Sequence, residues 1–163
     1  MNSENPQNRN LRDIFGKFAT GVCAISFYSK DKKPRGITVN SFASVSLNPP
    51  LTLWCIDNDS DVYEEIIDKD KYIFNFLSED QLSIAKLLSM KSNHSLDDIE
   101  FIDHEFGLIL KNSIGWIACS RKEIIPSGDH SIIIGSVSNF EILNKNKKPV
   151  SYTHLTLPTK RIV

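Results

Sequence analysis

The chain has 163 residues, 40% of them hydrophobic, which suffices for one domain with a sizeable core and is too little for two. A net charge of -1 gives no electrostatic footprint for nucleic acid or an anionic membrane, and neither partner is expected. No apolar run reaches the roughly 18 to 20 residues of a membrane span, and the polar start MNSENPQNRN lacks a signal peptide's apolar stretch, so a cytoplasmic location is expected.

The first ten residues read as a disordered arm. A helix is expected from Asn10, which can cap it, with Leu11, Ile14, Phe15 and Phe18 forming one apolar stripe and Gly21 ending it. Strand-like runs rich in β-branched and aromatic residues follow at residues 22–28, 37–47, 51–56 and 72–77. Residues 60–68, between the last two, read as a short helix. Ser78 can cap another, with Gln81 reaching back and Leu82, Ala85 and Leu88 on one face. Polar residues 92–105 precede strands at 107–110, 114–125 and 131–143. The last two are joined by Pro126, Ser127, Gly128, Asp129 and His130, which suit a hairpin connection. Many strands with a few short helices between them imply a mainly β fold, an antiparallel barrel carrying helices outside.

Several chemistries drop out on spacing. The segment from Gly16 to Gly21 has the two glycines of a phosphate loop, but Val22 and Cys23 follow where Lys and Ser or Thr are required. Neither a dinucleotide-binding glycine fingerprint nor a serine-hydrolase elbow is present. His94 and His104 lie among Asp97, Asp98, Glu100, Asp103 and Glu105 at no recognised ligand spacing; they read as a solvated acidic surface, and no metal is expected. Cys23, Cys55 and Cys119 are far apart and form no paired motif, which points to reduced thiols.

The most informative feature is an absence. Charged residues make up 24% of the chain, yet residues 36–56, GITVNSFASVSLNPPLTLWCI, contain none, where about five would be expected. Counting by twos puts Ile37, Val39, Ala43, Val45 and Leu47 on a core face of one strand, and Thr38, Asn40, Phe42, Ser44 and Ser46 on the other. A merely solvated face would recruit Lys or Glu. Small hydroxyls and an amide without charge instead suit close approach by a polar ligand or another subunit.

These pieces together resemble the short-chain flavin reductases, the reductase components of two-component flavin monooxygenases, which have the FMN-binding split-barrel fold. The resemblance rests on the run Phe15, Gly16, Lys17, Phe18, Ala19, Thr20, Gly21, Val22; on T-x-N-S-F-x-S-V-S-x-x-P-P beginning at Thr38; on Asn75, Phe76, Leu77, Ser78, Glu79, Asp80, Gln81; and on Gly128, Asp129, His130 with Gly135. It covers residues 11–149. It implies hydride transfer from NADH or NADPH to FMN or FAD, and reduced flavin passed to a partner monooxygenase. By position, Thr38, Asn40, Ser41 and Ser44 would lie along the flavin, Cys55 and Asp57 at the end of the next strand, Ser60 near the phosphate at a helix N-terminus, and Phe76 beside the site. His130 would contact the nicotinamide. No residue is expected to act as a catalytic acid, base or nucleophile, because the flavin carries the chemistry. A homodimer is implied as well. Residues 150–163, VSYTHLTLPTKRIV, match no closing segment of that family; they resemble a translated sequencing adapter and are expected to be non-native. The competing expectation is a flavin-binding electron carrier without turnover, and the weakest is a module using the uncharged face only to dimerise.

Overall fold

Antiparallel pairing organises the chain. The computed structural model describes residues 6–151. In order they form α1 (Pro6–Phe15), β1 (Cys23–Tyr28), β2 (Pro34–Val39), β3 (Ala43–Leu47), β4 (Pro50–Asp57), α2 (Tyr63–Ile67), β5 (Lys71–Phe76), a 3-10 turn at Glu79–Gln81 leading into α3 (Leu82–Leu87), β6 (Phe101–His104), β7 (Gly107–Leu110), β8 (Gly115–Ser127) and β9 (His130–Ile142). Seven strands make one sheet in the order β2-β1-β5-β8-β9-β4-β3, and β6 with β7 forms a separate hairpin. The mainly β, antiparallel expectation therefore holds.

The sheet's two edges, β2 and β3, are consecutive in sequence and do not pair with one another, so a seam lies between them. Yet Val39 from β2 and Trp54 and Ile56 from β4 share one buried cluster with Cys23, Phe27, Phe74 and Ile133. Residues from opposite ends of a sheet can meet in one core only if the sheet curls, as in a split barrel. Ser41 ties the seam: its Oγ accepts the Cys55 N–H at 2.9 Å and donates to the Cys55 carbonyl at 3.1 Å. A second cluster, with Ala24, Ala85, Leu88 and Leu110, packs α3 against the outside of β1. Both faces of β1 are therefore covered, and Cys23 to Phe27 are all buried, Ser26 being the one polar residue among them. The buried Asn75 amide, bonded to Ser26 Oγ at 3.0 Å, to the Leu108 carbonyl at 3.1 Å and to the Leu110 N–H at 2.8 Å, fastens the β6–β7 hairpin to the sheet.

Four expectations need correcting. The first helix starts at Pro6, not Asn10, with proline in the opening turn where its missing N–H costs nothing. Its apolar stripe is not covered among the described residues: Leu11, Ile14, Phe15 and Phe18 are all exposed. The run at residues 37–47 is not one strand, because residues 40–42 cross the seam and break the alternation. Phe42, counted on the polar face, packs edge-on against Phe74 and Phe76, each with ring centroids 5.0 Å away. Ala43, Val45 and Leu47, counted as core, are exposed. Strand β6 and the burial of His94 were not expected from the polar residues around them. The β8–β9 connection is also tighter than the sequence suggested. Ser127 pairs with His130, leaving a two-residue turn in which Gly128 has φ +69°.

The capping role of Ser78 is half realised: Gln81 Oε1 accepts the Ser78 N–H at 3.1 Å. At the carboxyl end, Val150 is buried, its carbonyl accepting the Val22 N–H at 3.1 Å and its N–H donating to the Leu77 carbonyl at 3.0 Å. Residues 152–163, most of the segment expected to be non-native, lie outside the described residues.

Candidate functional site

The seam opens into a cleft. Its walls come from three stretches: residues 37–41 at the end of β2, residues 55–61 at the end of β4, and residues 88–94 after α3. The third stretch is placed by backbone bonds to the otherwise unpaired edge of β2. Thr38 N–H donates to the Leu88 carbonyl at 3.2 Å, Gly36 N–H to the His94 carbonyl at 2.9 Å and Leu96 N–H to the Pro34 carbonyl at 3.0 Å. Covering that edge satisfies its donors and sets the third wall opposite the first.

Six of the expected residues meet here: Thr38, Asn40, Ser41, Cys55, Asp57 and Ser60. Their hydrogen bonds separate scaffold from ligand-facing groups. The Thr38 hydroxyl donates to the Ala85 carbonyl at 2.8 Å and is buried, so it anchors α3. Ser41 is engaged at both ends with Cys55. Burial pushes the Cys55 thiol above its ordinary value, which keeps it a neutral, weakly bonding group. Asn40 and Ser60, by contrast, make no side-chain hydrogen bond among the described residues. Ser60 is not a helix cap: α2 begins later, and Ser60 meets it through its carbonyl, which accepts the Tyr63 N–H at 3.0 Å.

Three expected residues lie elsewhere. Ser44 is exposed on β3 opposite Thr52. Phe76 stands behind Phe42, which separates it from the seam residues in sequence and packing. His130 is a strand residue directly opposite Asp57 on β4, outside the cleft lining but beside it. Its Nδ1 lies 2.7 Å from Asp129 Oδ1, and this contact holds the Asp129 carboxyl below the usual carboxylate range. The turn after β4 grips the same hairpin, since Asn58 N–H donates to the Asp129 carbonyl at 3.0 Å and Ser131 Oγ to Asn58 Oδ1 at 2.9 Å.

Asp61, Ser89, Lys91 and His94 also line the cleft and were not expected there. Lys91 is exposed and has no ion-pair partner among the described residues. The only sequence signal for these residues was the end of an amphipathic helix, which says nothing of what its trailing loop faces. Taken together, the cleft offers an unpartnered amide, an unpartnered hydroxyl and an ammonium, beside the carboxylates of Asp57 and Asp61 and a set of small uncharged groups. Such donors suit a ligand with carbonyls, ring nitrogens and one anionic end.

Comparison with known proteins fits that chemistry. Residues 15–159 match the flavin reductase like domain, and the chain belongs to this family. It is 39% identical over 145 residues to a Rhizobium meliloti protein named "Probable flavin reductase", covering 86% of this chain and 46% of that one. It is 32% identical over 143 residues to a flavin reductase of Pseudomonas putida, covering 87% and 84%. The chain thus spans less than half of the first relative and most of the second. Among solved structures, the NADH:FAD oxidoreductase of Streptomyces globisporus C-1027, in complex with NAD and FAD fragments, aligns with TM-score 0.82 at 26% identity, covering 93% of this chain and 92% of that one.

Proposed function

We propose that this protein is an NAD(P)H-dependent flavin reductase that supplies reduced FMN or FAD to a flavin-dependent monooxygenase. The observation that carries the reading is the convergence of Asn40, Ser60 and Lys91, none with a side-chain partner among the described residues, on one cleft of a flavin reductase like domain. Flavin, when bound, supplies the redox chemistry, accepting hydride from the reduced nicotinamide. The chain's own work is binding and orientation. Asn40 offers an amide to the ring system. Ser60 and Lys91 face the phosphate end, where the ammonium offsets the anionic charge. Thr38 and Ser41 hold the two walls at fixed separation, and Phe42 and Phe76 back the seam. His130, across β4 from Asp57, faces the nicotinamide side.

NADH or NADPH oxidation with FMN or FAD in excess, run over the four combinations, tests the activity and identifies the preferred pair. Flavin that binds and stays oxidised with either nicotinamide would replace the reductase by a carrier. His130→Ala is expected to raise the KM for NAD(P)H while leaving the flavin Kd unchanged; an equal loss of flavin affinity would remove His130 from the nicotinamide side.

The exposed apolar residues support a homodimer as part of the same proposal. Leu47 is 93% exposed and Phe18 76%, and both flank elements that carry further bare apolar side chains. Sedimentation of Leu47→Asp against the native protein checks it, with dissociation as the expected result. No helix among the described residues is long and apolar enough to cross a membrane; the cytoplasmic location is proposed on composition and is checked by fractionation. On its sequence alone, the segment from residue 150 is proposed as adapter-derived. Sequencing the source gene past the Pro149 codon decides this, and contiguous coding would overturn it.

A further inference from the structure

The middle of one cleft wall is tied across the cleft by one side chain. In residues 88–94 the ends are pinned to β2 through the Leu88 and His94 carbonyls, as described above. Between those ends, the Ser89, Met90 and Asn93 N–H groups bond only to nearby carbonyls of Lys86, Leu87 and Met90. The bond that reaches across the cleft belongs to Asp61, in the turn between β4 and α2. Its Oδ2 accepts the Ser92 N–H, and its Oδ1 lies 3.5 Å from His94 Nε2.

Two further features show that this contact fixes a particular loop shape. Ser92 has φ +60°, a left-handed conformation that costs a non-glycine residue energy and must be imposed by its surroundings. The His94 ring is almost wholly buried, its Nδ1 3.1 Å from the Gly36 carbonyl oxygen, while Nε2 has no hydrogen-bond partner and faces Asp61. At 3.5 Å the ring nitrogen faces the carboxylate at the edge of hydrogen-bond range, and the contact is an ion pair only with the ring protonated. Partial burial pushes the Asp61 carboxyl up, but the Ser92 N–H, its own backbone and the His94 ring outweigh this and hold it below the usual range. The carboxylate is therefore the form present at neutral pH, and it is committed to the loop.

We propose that Asp61 is a positioning residue that fastens the 89–92 segment across the cleft, so that Lys91 meets the phosphate of the bound flavin. The inference rests on the flavin reading of the cleft. Asp61 itself does not touch the flavin, since a carboxylate facing a phosphate would repel it. Engaged with Ser92 and His94, it is kept from competing for the Lys91 ammonium.

FMN and riboflavin differ by that phosphate alone, so the pair isolates its contact. Both are titrated by fluorescence quenching against the native protein and against Asp61→Ala, Asp61→Asn and Lys91→Ala, with melting curves taken alongside. The Asp61 side chain is 35% exposed, and the melting curves report whether its removal disturbs the fold. Lys91→Ala is expected to weaken FMN about tenfold and riboflavin less than about twofold, as loss of one charge-assisted contact does. Asp61→Ala should reproduce that selective loss with Lys91 still present. Asp61→Asn, which keeps an acceptor for the Ser92 N–H, should restore most of the FMN preference. Equal weakening of both ligands by Asp61→Ala, or no weakening of either, overturns the positioning role. A native protein that binds neither ligand overturns the flavin reading itself, a result no Asp61 variant can mimic.

Discussion

The charge-free stretch supplies the second half of β2, residues 36–39, and all of β3, and these two pieces, with similar small polar and β-branched residues, end in opposite surroundings. On β2, Thr38 and Val39 are each 5% exposed; on β3, Val45 is 48% and Leu47 93% exposed. Both are sheet edges, but β2 is covered by residues 88–96 while β3 pairs with β4 alone among the described residues. The absence of charge thus records two different pressures. Along the end of β2 and the seam, added charge would crowd the cleft proposed to take flavin. Along β3, it would interrupt an apolar surface suited to a second copy of the chain.

The largest effect that should separate the two halves lies at their junction. Phe42→Ala removes the ring packed on Phe74 and Phe76 and is expected to cost about 2 to 3 kcal/mol in denaturant unfolding, whereas Leu47→Ala should stay within about 0.5 kcal/mol at concentrations where the chain is monomeric. Comparable losses would mean that β3 packs within the monomer. Next comes ligand affinity: Asn40→Leu should weaken flavin binding by about 1 to 3 kcal/mol, and Ser44→Ala should leave it unchanged, as read by fluorescence quenching. Weakening by Ser44→Ala would extend the ligand onto β3.

Thr38→Val is expected to cost about 1 kcal/mol of stability, because the Ala85 carbonyl loses its donor while shape is preserved. Acid should produce the smallest difference. The Ser29 hydroxyl on Asp31, the Lys30 ammonium on Asp68 and the His130 ring on Asp129 each hold a carboxyl below the usual range. A carboxyl lowered on folding stabilises the native state above its unfolded value and loses that contribution as pH falls through the folded one. Melting temperature should therefore be flat between about pH 7 and 5 and decline below about pH 4. Asp129→Asn should shallow that decline, and Ser44→Ala, on a strand without titratable groups, should leave the profile as it is.

Much of the site was legible because its residues are close in sequence. Thr38, Asn40, Ser41, Cys55, Asp57 and Ser60 reach the cleft through two strand ends that the resemblance already aligned. Alternation failed where the chain crossed the seam. No glycine or proline marks residues 40–42, so a period-two count ran through a break that only the curl of the sheet requires. Asp61, Lys91 and His94 escaped notice for a related reason: their neighbours in sequence are polar, and their partners lie across the cleft.

The sequence by itself determined the class of fold and the stretch from which charge is excluded, since these follow from local propensity, periodicity and composition. It also determined the contact of Gln81 with Ser78 and the presence of a hairpin connection around Gly128, where the chemistry of a few residues suffices, though not how tight that turn is. Only the tertiary structure decided which part of the uncharged stretch lines the cleft, that Phe42 turns inward, and that Asp61 meets Ser92 and His94. Those facts depend on how far the sheet curls and on which loop covers its bare edge. Both are set by packing between residues distant in the chain, and no local pattern encodes them.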